Sequence, residues 1–132
     1  MSAYSRSSSL AAYQSVAAHG GVAAADPHGL VTMLMDGALQ RLAAARGAIE
    51  HGATESKGRL IHRVVEIIDE LRGSLNFQEG GEIAVNMANL YDYSSRLLLR
   101  ANLESRTDLL DEAGHLLREI RSAWIQIPVR RP

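Results

Sequence analysis

The sequence has no cysteine, no long apolar run and no internal block of like charge, and each absence excludes a class of function. Without cysteine there are no disulfides and no thiolate metal sites, which fits a reducing compartment. No apolar stretch approaches the roughly 20 residues of a membrane-spanning helix, and the first ten residues lack the apolar core of a secretory signal. The formal net charge is -1, without the basic stripe of a nucleic-acid-binding protein. We therefore expect a cytoplasmic protein that binds no nucleic acid and does not insert into a membrane.

The spacing of the apolar residues predicts helices and no strands. Asp26-Pro27 begins the first helix, because Asp caps a helix N-terminus and Pro suits the first helical position, and Gly52 ends it. The second helix begins near Thr54 or Ser56, and Gly80-Gly81 separates it from the third. No segment alternates between apolar and polar residues with period two, so the predicted fold class is all-α.

The third and fourth helices are separated by a polar turn at residues 102–105. Ser105 and Asp108 resemble a capping box with Asp in place of Glu, and Pro128 ends the fourth helix. Four helices of roughly 20 residues, each about 30 Å long, joined by short loops, are typical of an antiparallel up-down-up-down four-helix bundle. We predict this architecture.

The chain divides into three parts. Residues 1–25 are rich in Ser, Ala and Gly and are expected to form a mobile N-terminal arm, with Tyr13 and Val16 among its few larger side chains. Residues 26–128 form the bundle domain, which is long enough for one hydrophobic core, and residues 129–132 form a tail.

The four helices differ in the width of their apolar surface. A bundle helix needs an apolar stripe somewhat over 100° wide, and the fourth helix, at about 120°, has little more. The second covers about 160°, whereas the first and third reach about 240°. The additional residues are Met33, Met35 and Leu39 on the first helix and Val85, Tyr93 and Leu99 on the third. One core cannot bury all of them, so we expect a partner groove, in which adaptable methionines such as Met33, Met35 and Met87 contact the ligand.

No motif indicates catalysis. Phosphate-binding loops, nucleophile elbows and dinucleotide fingerprints are missing. A di-metal oxidase built in a four-helix bundle needs two Glu-x-x-His pairs, and the sequence has one, Glu112 with His115. His62 and Glu66, one turn apart, indicate a solvated ion pair. We predict a protein that is not an enzyme, with no catalytic residue, metal ion or cofactor.

Three conspicuous side chains are interpreted as structural. Asp36 and Asp92 stand among apolar neighbours and resemble paired catalytic acids, but hydrogen bonds that tie a turn or an arm are the better interpretation. Trp124 is interpreted as a core residue of the fourth helix rather than as a ligand platform.

A series of short segments carries a further signal through its order and spacing. The segments are Tyr13-Gln14, Asp26-Pro27, Met33-Leu34-Met35-Asp36-Gly37-Ala38, Gly80-Gly81-Glu82-Ile83-Ala84, Leu90-Tyr91-Asp92-Tyr93, Arg96-Leu97, Ala101-Asn102 and Ala123-Trp124. Together they resemble the flagellin-specific export chaperones of the FliS family. The resemblance extends from about Tyr13 to Ile127, with Met35 at a position where an aromatic residue is common in the family.

The resemblance implies a cytoplasmic four-helix bundle that binds the disordered C-terminal segment of flagellin. Such chaperones prevent premature polymerisation and present flagellin to a component of the flagellar type III export gate. In the family the client adds helices to hydrophobic grooves and an N-terminal arm shifts to make room, so we expect Tyr13, Gln14 and Val16 to form a movable cap. The predicted groove residues are Met33, Ile67, Leu90, Tyr91, Tyr93, Leu97 and Leu98, and the motif residues with structural roles are Asp26, Pro27, Asp36, Gly37, Asp92 and Trp124.

Two other readings of the sequence stay open. In the first, the wide apolar faces meet their copies in an obligate homodimer that has no flagellin client. In the second, the bundle is a metallo-oxidase, which a metal assay would test.

Overall fold

The computed structural model describes residues 26–126, and every regular element among them is a helix. The helices are α1 (Pro27–Glu50), α2 (Thr54–Gly73), α3 (Phe77–Glu104) and α4 (Thr107–Gln126). The predicted all-α fold class is confirmed. The expected N-terminal arm, the helix stop at Pro128 and the tail lie outside the described residues.

The four helices form a closed antiparallel ring. Each packs against the next in sequence, and α1 also packs against α4. Two ion pairs fix the direction of this last contact. Arg121 Nε donates to Asp36 Oδ1 at 2.6 Å, and Arg46 Nε donates to Asp111 Oδ1 at 3.0 Å. Early residues of α1 therefore meet late residues of α4, as in the predicted up-down-up-down bundle.

The predicted start of α1 is confirmed. Asp26 Oδ1 accepts a hydrogen bond from the backbone N–H of His28 at 3.0 Å, and Pro27 occupies the first helical position. Gly52, just beyond the other end of α1, has a φ of +68°, a conformation that glycine adopts without strain.

The boundary between α2 and α3 differs from the prediction. The N-cap of α2 is Ala53, and no side chain caps it, so neither Thr54 nor Ser56 has that role. Helix α2 ends at Gly73, because Asn76 begins a new helix by accepting a hydrogen bond from the backbone N–H of Glu79 at 3.0 Å. The glycine pair at 80–81 therefore lies inside α3.

Gly81 bends α3 near its start. Its backbone has φ 51° and ψ -127°, which is open essentially to glycine alone, and the axis kinks there. A Cβ added to Gly80 would lie only 2.8 Å from Cβ of Ala84. The short turn from Phe77 to Gly80 is thereby set at an angle to the rest of α3.

A buried lysine joins α2 to the turn between α3 and α4. Lys57, 7% exposed, donates from Nζ to the carbonyl oxygen of Asn102 at 2.9 Å and to Oγ of Ser105 at 2.8 Å. Ser105 is the left-handed C-cap of α3, with φ 51°. The predicted capping box is therefore wrong, because the Ser105 hydroxyl serves the lysine instead of the fourth helix.

The core draws apolar side chains from all four helices. Burying a large aliphatic side chain of this kind stabilises a fold by about 1.5–3 kcal/mol. The largest enclosed side chains are Leu34, Met35, Ile61, Ile67, Ile68, Leu71, Tyr91, Leu98 and Leu117. They leave the N-terminal half of α3 only partly covered.

We predict opposite effects of alanine at two glycines. Gly81→Ala should lower the free energy of unfolding by about 1–3 kcal/mol, because alanine cannot adopt this backbone conformation without strain. Gly58→Ala, within α2, should raise it by about 0.5–1 kcal/mol, because a Cβ there meets nothing within 4 Å. Urea denaturation of both variants measures these changes, and equal effects would contradict the assigned kink.

Candidate partner-binding cleft

Most of the large exposed apolar side chains among the described residues belong to α3. They are Phe77, Ile83, Val85, Leu90, Tyr93, Leu99 and Leu103, joined by Met33 on α1 and Ile125 on α4. The predicted excess of apolar surface on the third helix is confirmed, because Val85, Tyr93 and Leu99 are exposed. The excess of apolar surface on α1 is smaller than predicted, since Met35 is 1% exposed and Leu39 is half-buried.

The larger cleft lies at one end of the bundle, where α1 and α3 begin and where α2 and α4 end. Its volume is about 610 Å³. Its lining is Asp26, Pro27, His28, Val31, Leu71, Ser74, Leu75, Asn76, Glu79, Gly80, Ile83, Ala84, Met87, Tyr91 and Trp124. The kink at Gly81 places the first turn of α3 along one wall.

A smaller cleft of about 270 Å³ continues between α3 and α4. Its lining is Ile83, Met87, Leu90, Leu116, Glu119, Ile120, Ala123 and Trp124. Ile83, Met87 and Trp124 line both clefts, so the two form one apolar groove that runs from the bundle end along the seam of α3 and α4.

Trp124 is held in the wall of this groove by residues of α1. Its Nε1 donates to the carbonyl oxygen of His28 at 3.1 Å, and the two rings stack with centroids 4.7 Å apart. The Asp36–Arg121 ion pair joins the same two helices one turn from Trp124. Trp124 is thus half-buried and lines the groove, and its interpretation as an enclosed core residue is corrected.

Asp36 and Asp92 make helix-to-helix ion pairs. Asp36 pairs with Arg121, and Arg72 of α2 donates to Asp92 of α3 through Nε at 2.8 Å and Nη2 at 3.2 Å. These contacts are structural, but they join neighbouring helices and not a turn or an arm. Gly37 allows Arg41 to fold back on its carbonyl oxygen at 3.0 Å, since a Cβ would lie 3.2 Å from Nη1.

Tyr91 forms part of the floor of the larger cleft. Its side chain is 1% exposed, and burial raises the pKa of its phenol to about 12. Loss of water around the phenolate penalises the charged form, so the phenol stays neutral.

Tyr93 lies on the seam between α3 and α4 and bonds across it. Its hydroxyl donates to Oε2 of Glu112 at 2.5 Å, and this bond raises the pKa of Tyr93. The guanidinium of Arg96 lies 5.9 Å from the centre of the Tyr93 ring. Two contacts therefore orient this ring.

Besides the neutral phenol of Tyr91, the ionisable side chains among the described residues that line the groove are Asp26, His28, Glu79 and Glu119, with neither lysine nor arginine. Oε1 of Glu119 also lies 3.1 Å from Nε2 of His115. An apolar floor with carboxylates at its edge favours an apolar or basic partner over a phosphate-bearing one.

The structure separates the predicted groove residues into three groups. Leu90 lines the groove, and Tyr93 lies at its edge. Met33 is 38% exposed but lines neither cleft. Tyr91 is 1% exposed but belongs to the floor of the larger cleft, whereas Ile67, Leu97 and Leu98 are at most 5% exposed and line neither cleft, so the structure places these three in the core and not in the predicted groove. They lie on the inward face of their helices, and the hydrophobic spacing alone did not separate that face from the seam. The predicted cap of Tyr13, Gln14 and Val16 lies outside the described residues.

Three further residues, Ile83, Leu116 and Ala123, line the groove and were not among the predicted groove residues. Ile83 is 72% exposed although its spacing matches that of core residues. The signal that could locate it is the neighbouring Gly80-Gly81, because a glycine pair inside an apolar helical pattern marks a kink, and the core packing of a helix is interrupted beside a kink.

The titratable residues that resembled a metal or catalytic site are engaged elsewhere. Glu112 accepts the hydrogen bond of Tyr93, and His115 pairs with Glu119. Nε2 of His62 lies 3.8 Å from Glu66 on an exposed face. Among residues 26–126, no three His, Asp or Glu side chains gather in a way that would hold a metal ion. None of the described helices combines the length and the apolar character needed to cross a bilayer.

An open apolar groove without a cluster of catalytic groups is a surface of the kind that binds an amphipathic helix. Comparison with known proteins gives the family. The family model described as flagellar protein FliS matches residues 9–131, and the chain belongs to this family.

Curated relatives match most of the chain. The flagellar secretion chaperone FliSB of Pseudomonas aeruginosa is 45% identical over 112 residues, which is 85% of this chain and 89% of the relative. The flagellar secretion chaperones FliS of Salmonella typhimurium and Vibrio cholerae are 41% and 39% identical, each over 91% of this chain and over 90% and 88% of their own lengths. These relatives support an export-chaperone role, and chaperones are not a class of enzyme.

We predict that Tyr91 makes stability depend on alkaline pH. Its folded-state pKa lies above the ordinary value of 10, so the unfolded chain loses this proton first as the pH rises. Between pH 9 and pH 11 the parent should therefore lose about 1 kcal/mol more free energy of unfolding than Tyr91→Phe. Urea denaturation at several pH values tests this, and parallel curves for the two proteins would contradict a neutral, desolvated phenol.

Proposed function

We propose that the protein is a cytoplasmic export chaperone that binds the C-terminal segment of flagellin in the groove between α3 and α4. The observation that carries the proposal is the continuous apolar surface through Ile83, Met87 and Trp124. An amphipathic helix docks into such a surface through a row of apolar side chains and needs no catalytic group. Membership of a family of flagellar secretion chaperones supports a flagellar client.

The physical effect of binding follows from what the groove covers. A flagellin end that pairs with its neighbours in a filament exposes apolar helix faces when it is free. Burial of those faces in the groove prevents self-assembly, and the client pays the entropy of ordering on binding, which limits the affinity and permits release. Presentation to a component of the flagellar type III export gate is the final step of this proposal.

The N-terminal residues are proposed as the cap of the empty groove. Asp26 and Pro27 line the larger cleft, so the chain preceding them begins at its edge. Tyr13 lies 13 residues before Asp26, and an extended chain of that length reaches at most about 40 Å, so Tyr13 is within reach of the clefts. Tyr13, Gln14 and Val16 would then leave the groove when the client enters.

The homodimer remains the second candidate. The exposed apolar side chains of α3 favour it as well, because two such faces would cover each other. A size measurement in the presence of the client separates the two, since a one-to-one complex of a monomer excludes an obligate dimer.

We predict that two exposed apolar residues of α3 differ in their effect on client binding. Ile83→Asn should weaken binding of a flagellin C-terminal peptide at least about tenfold, because Ile83 lines both clefts. Leu103→Asn, at a residue that is 85% exposed and lies outside them, should leave affinity unchanged. Both side chains are exposed, so neither change should unfold the bundle.

Isothermal calorimetry with a synthetic peptide measures this pair. Binding to the parent should show a negative heat-capacity change, as expected for burial of apolar surface. Absence of heat for the parent at several temperatures would contradict the chaperone proposal. Equal losses in the two variants would place the client elsewhere on α3.

We predict that Tyr13→Ala raises client affinity about twofold to fivefold. A cap that occupies the groove reduces the fraction of binding-competent protein, and its loss removes that competition. The same calorimetric titration measures the change. A loss of affinity would indicate that Tyr13 contacts the client directly.

A further inference from the structure

The Tyr93–Glu112 hydrogen bond joins α3 to α4 at the end of the groove that is farther from Trp124. The residues Ile83, Leu90 and Leu97 follow each other at seven-residue spacing and so lie along one side of α3. Their exposed fractions fall from 72% to 39% to 5% along the helix. One side of the same helix therefore changes from open groove to closed core within two heptads.

Helix α4 shows the same gradient in the opposite chain direction. Ala123 is exposed, Leu116 is half-buried and Leu109 is 5% exposed, again at seven-residue spacing. Because α3 and α4 are antiparallel, Leu97 and Leu109 come together at the closed end and Ile83 and Ala123 at the open end. Along the seam, the apolar side chains of both helices therefore become more buried with distance from Trp124.

The Tyr93–Glu112 hydrogen bond crosses the seam at the transition. Tyr93 lies between Leu90 and Leu97 in the sequence, and Glu112 lies between Leu109 and Leu116. Both side chains are exposed, so the bond spans the outer surface of the seam rather than its interior. The Arg96 guanidinium at the face of the Tyr93 ring holds the ring in place from its own helix.

We propose that the Tyr93–Glu112 hydrogen bond is a stop that sets the length of client helix the groove accepts. This inference rests on the proposed function, because it concerns the same groove and the same client. A helix that lies over Ile83 and Leu90 runs along about 15 Å of α3 before it meets the Tyr93 hydroxyl. Leu97 and Leu109 continue the two apolar rows beneath the stop, and both are only 5% exposed where the bond holds α3 to α4, so the next turn of the client finds no open groove there.

Peptides of different length test the stop. The probe is the shortest C-terminal peptide of a flagellin from the same genome that the parent binds, together with forms extended by one heptad at either end. One of the two extensions should leave the affinity of the parent within about twofold, because its added heptad meets the Tyr93–Glu112 bond. The heptad added at the other end points toward the open end of the groove, where no such bond limits its contacts.

Removal of either partner should extend the groove. In Tyr93→Phe and in Glu112→Ala, the extension that did not change the affinity of the parent should raise affinity about threefold to tenfold. This gain corresponds to the free energy of one exposed hydrogen bond, which the client no longer has to break. The readout in each protein is the ratio of its affinity for the extended peptide to its affinity for the shortest peptide, so a change that affects both peptides equally does not count. The double variant should gain no more than either single variant, because both changes remove the same bond.

A matched control and two outcomes decide the question. Glu50→Ala removes an exposed carboxylate that accepts one hydrogen bond, from Nη1 of Arg46 at 2.9 Å, outside the groove, and it should bind every peptide as the parent does. If the parent binds the peptides but the Tyr93 and Glu112 variants respond to both extensions as it does, the stop is wrong and the chaperone proposal stands. If the parent binds no flagellin peptide, both proposals fail.

Discussion

A helix in a four-helix bundle buries only one face, and α3 carries apolar side chains on more than that face. Every other feature of the groove follows from this limit. The inward residues Tyr91, Ser94 and Leu98 are enclosed by the other three helices, whereas Ile83 and Leu90 remain on the seam with α4. Exposed apolar surface of this extent favours association, so the same imbalance leaves uncovered the surface on which we propose that the client helix docks.

Polar contacts decide where the bundle is tight and where it is open. Lys57 ties α2 to the α3–α4 turn at one end of the ring. At the other end, the contacts near Trp124 join α1 to α4, and the Arg72–Asp92 pair joins α2 to α3. The seam between α3 and α4 has the Tyr93–Glu112 bond near its middle. The groove lies along this seam on the side of the bond that faces the bundle end, where Ile83, Met87 and Trp124 line it.

The helical spacing predicted the all-α bundle and the start of α1, because those features depend on local chemistry such as the Asp26 cap. The helical spacing gave the wrong prediction where a residue fits either of two structural roles at a helix end. Leu75 continues the apolar spacing of α2, yet Asn76 begins a new helix by capping it. Ser105 resembles a helix N-cap, yet its hydroxyl accepts from a lysine that lies 48 residues earlier in the sequence. Long-range contacts of this kind leave no local trace.

The groove itself was predicted in kind but not in position. Apolar width on a helical wheel counts side chains around one helix, and it cannot say which of them the neighbouring helices cover. Leu97 and Leu90 lie seven residues apart and on nearly the same side of such a wheel, yet Leu97 is 5% exposed and Leu90 is 39% exposed. The distance between two helices depends on contacts that other residues make, here the kink at Gly81 and the bond from Tyr93 to Glu112. The position of a binding surface on a bundle is thus set by where its helices diverge, and the apolar residues of one helix occupy that surface only at the level of the divergence.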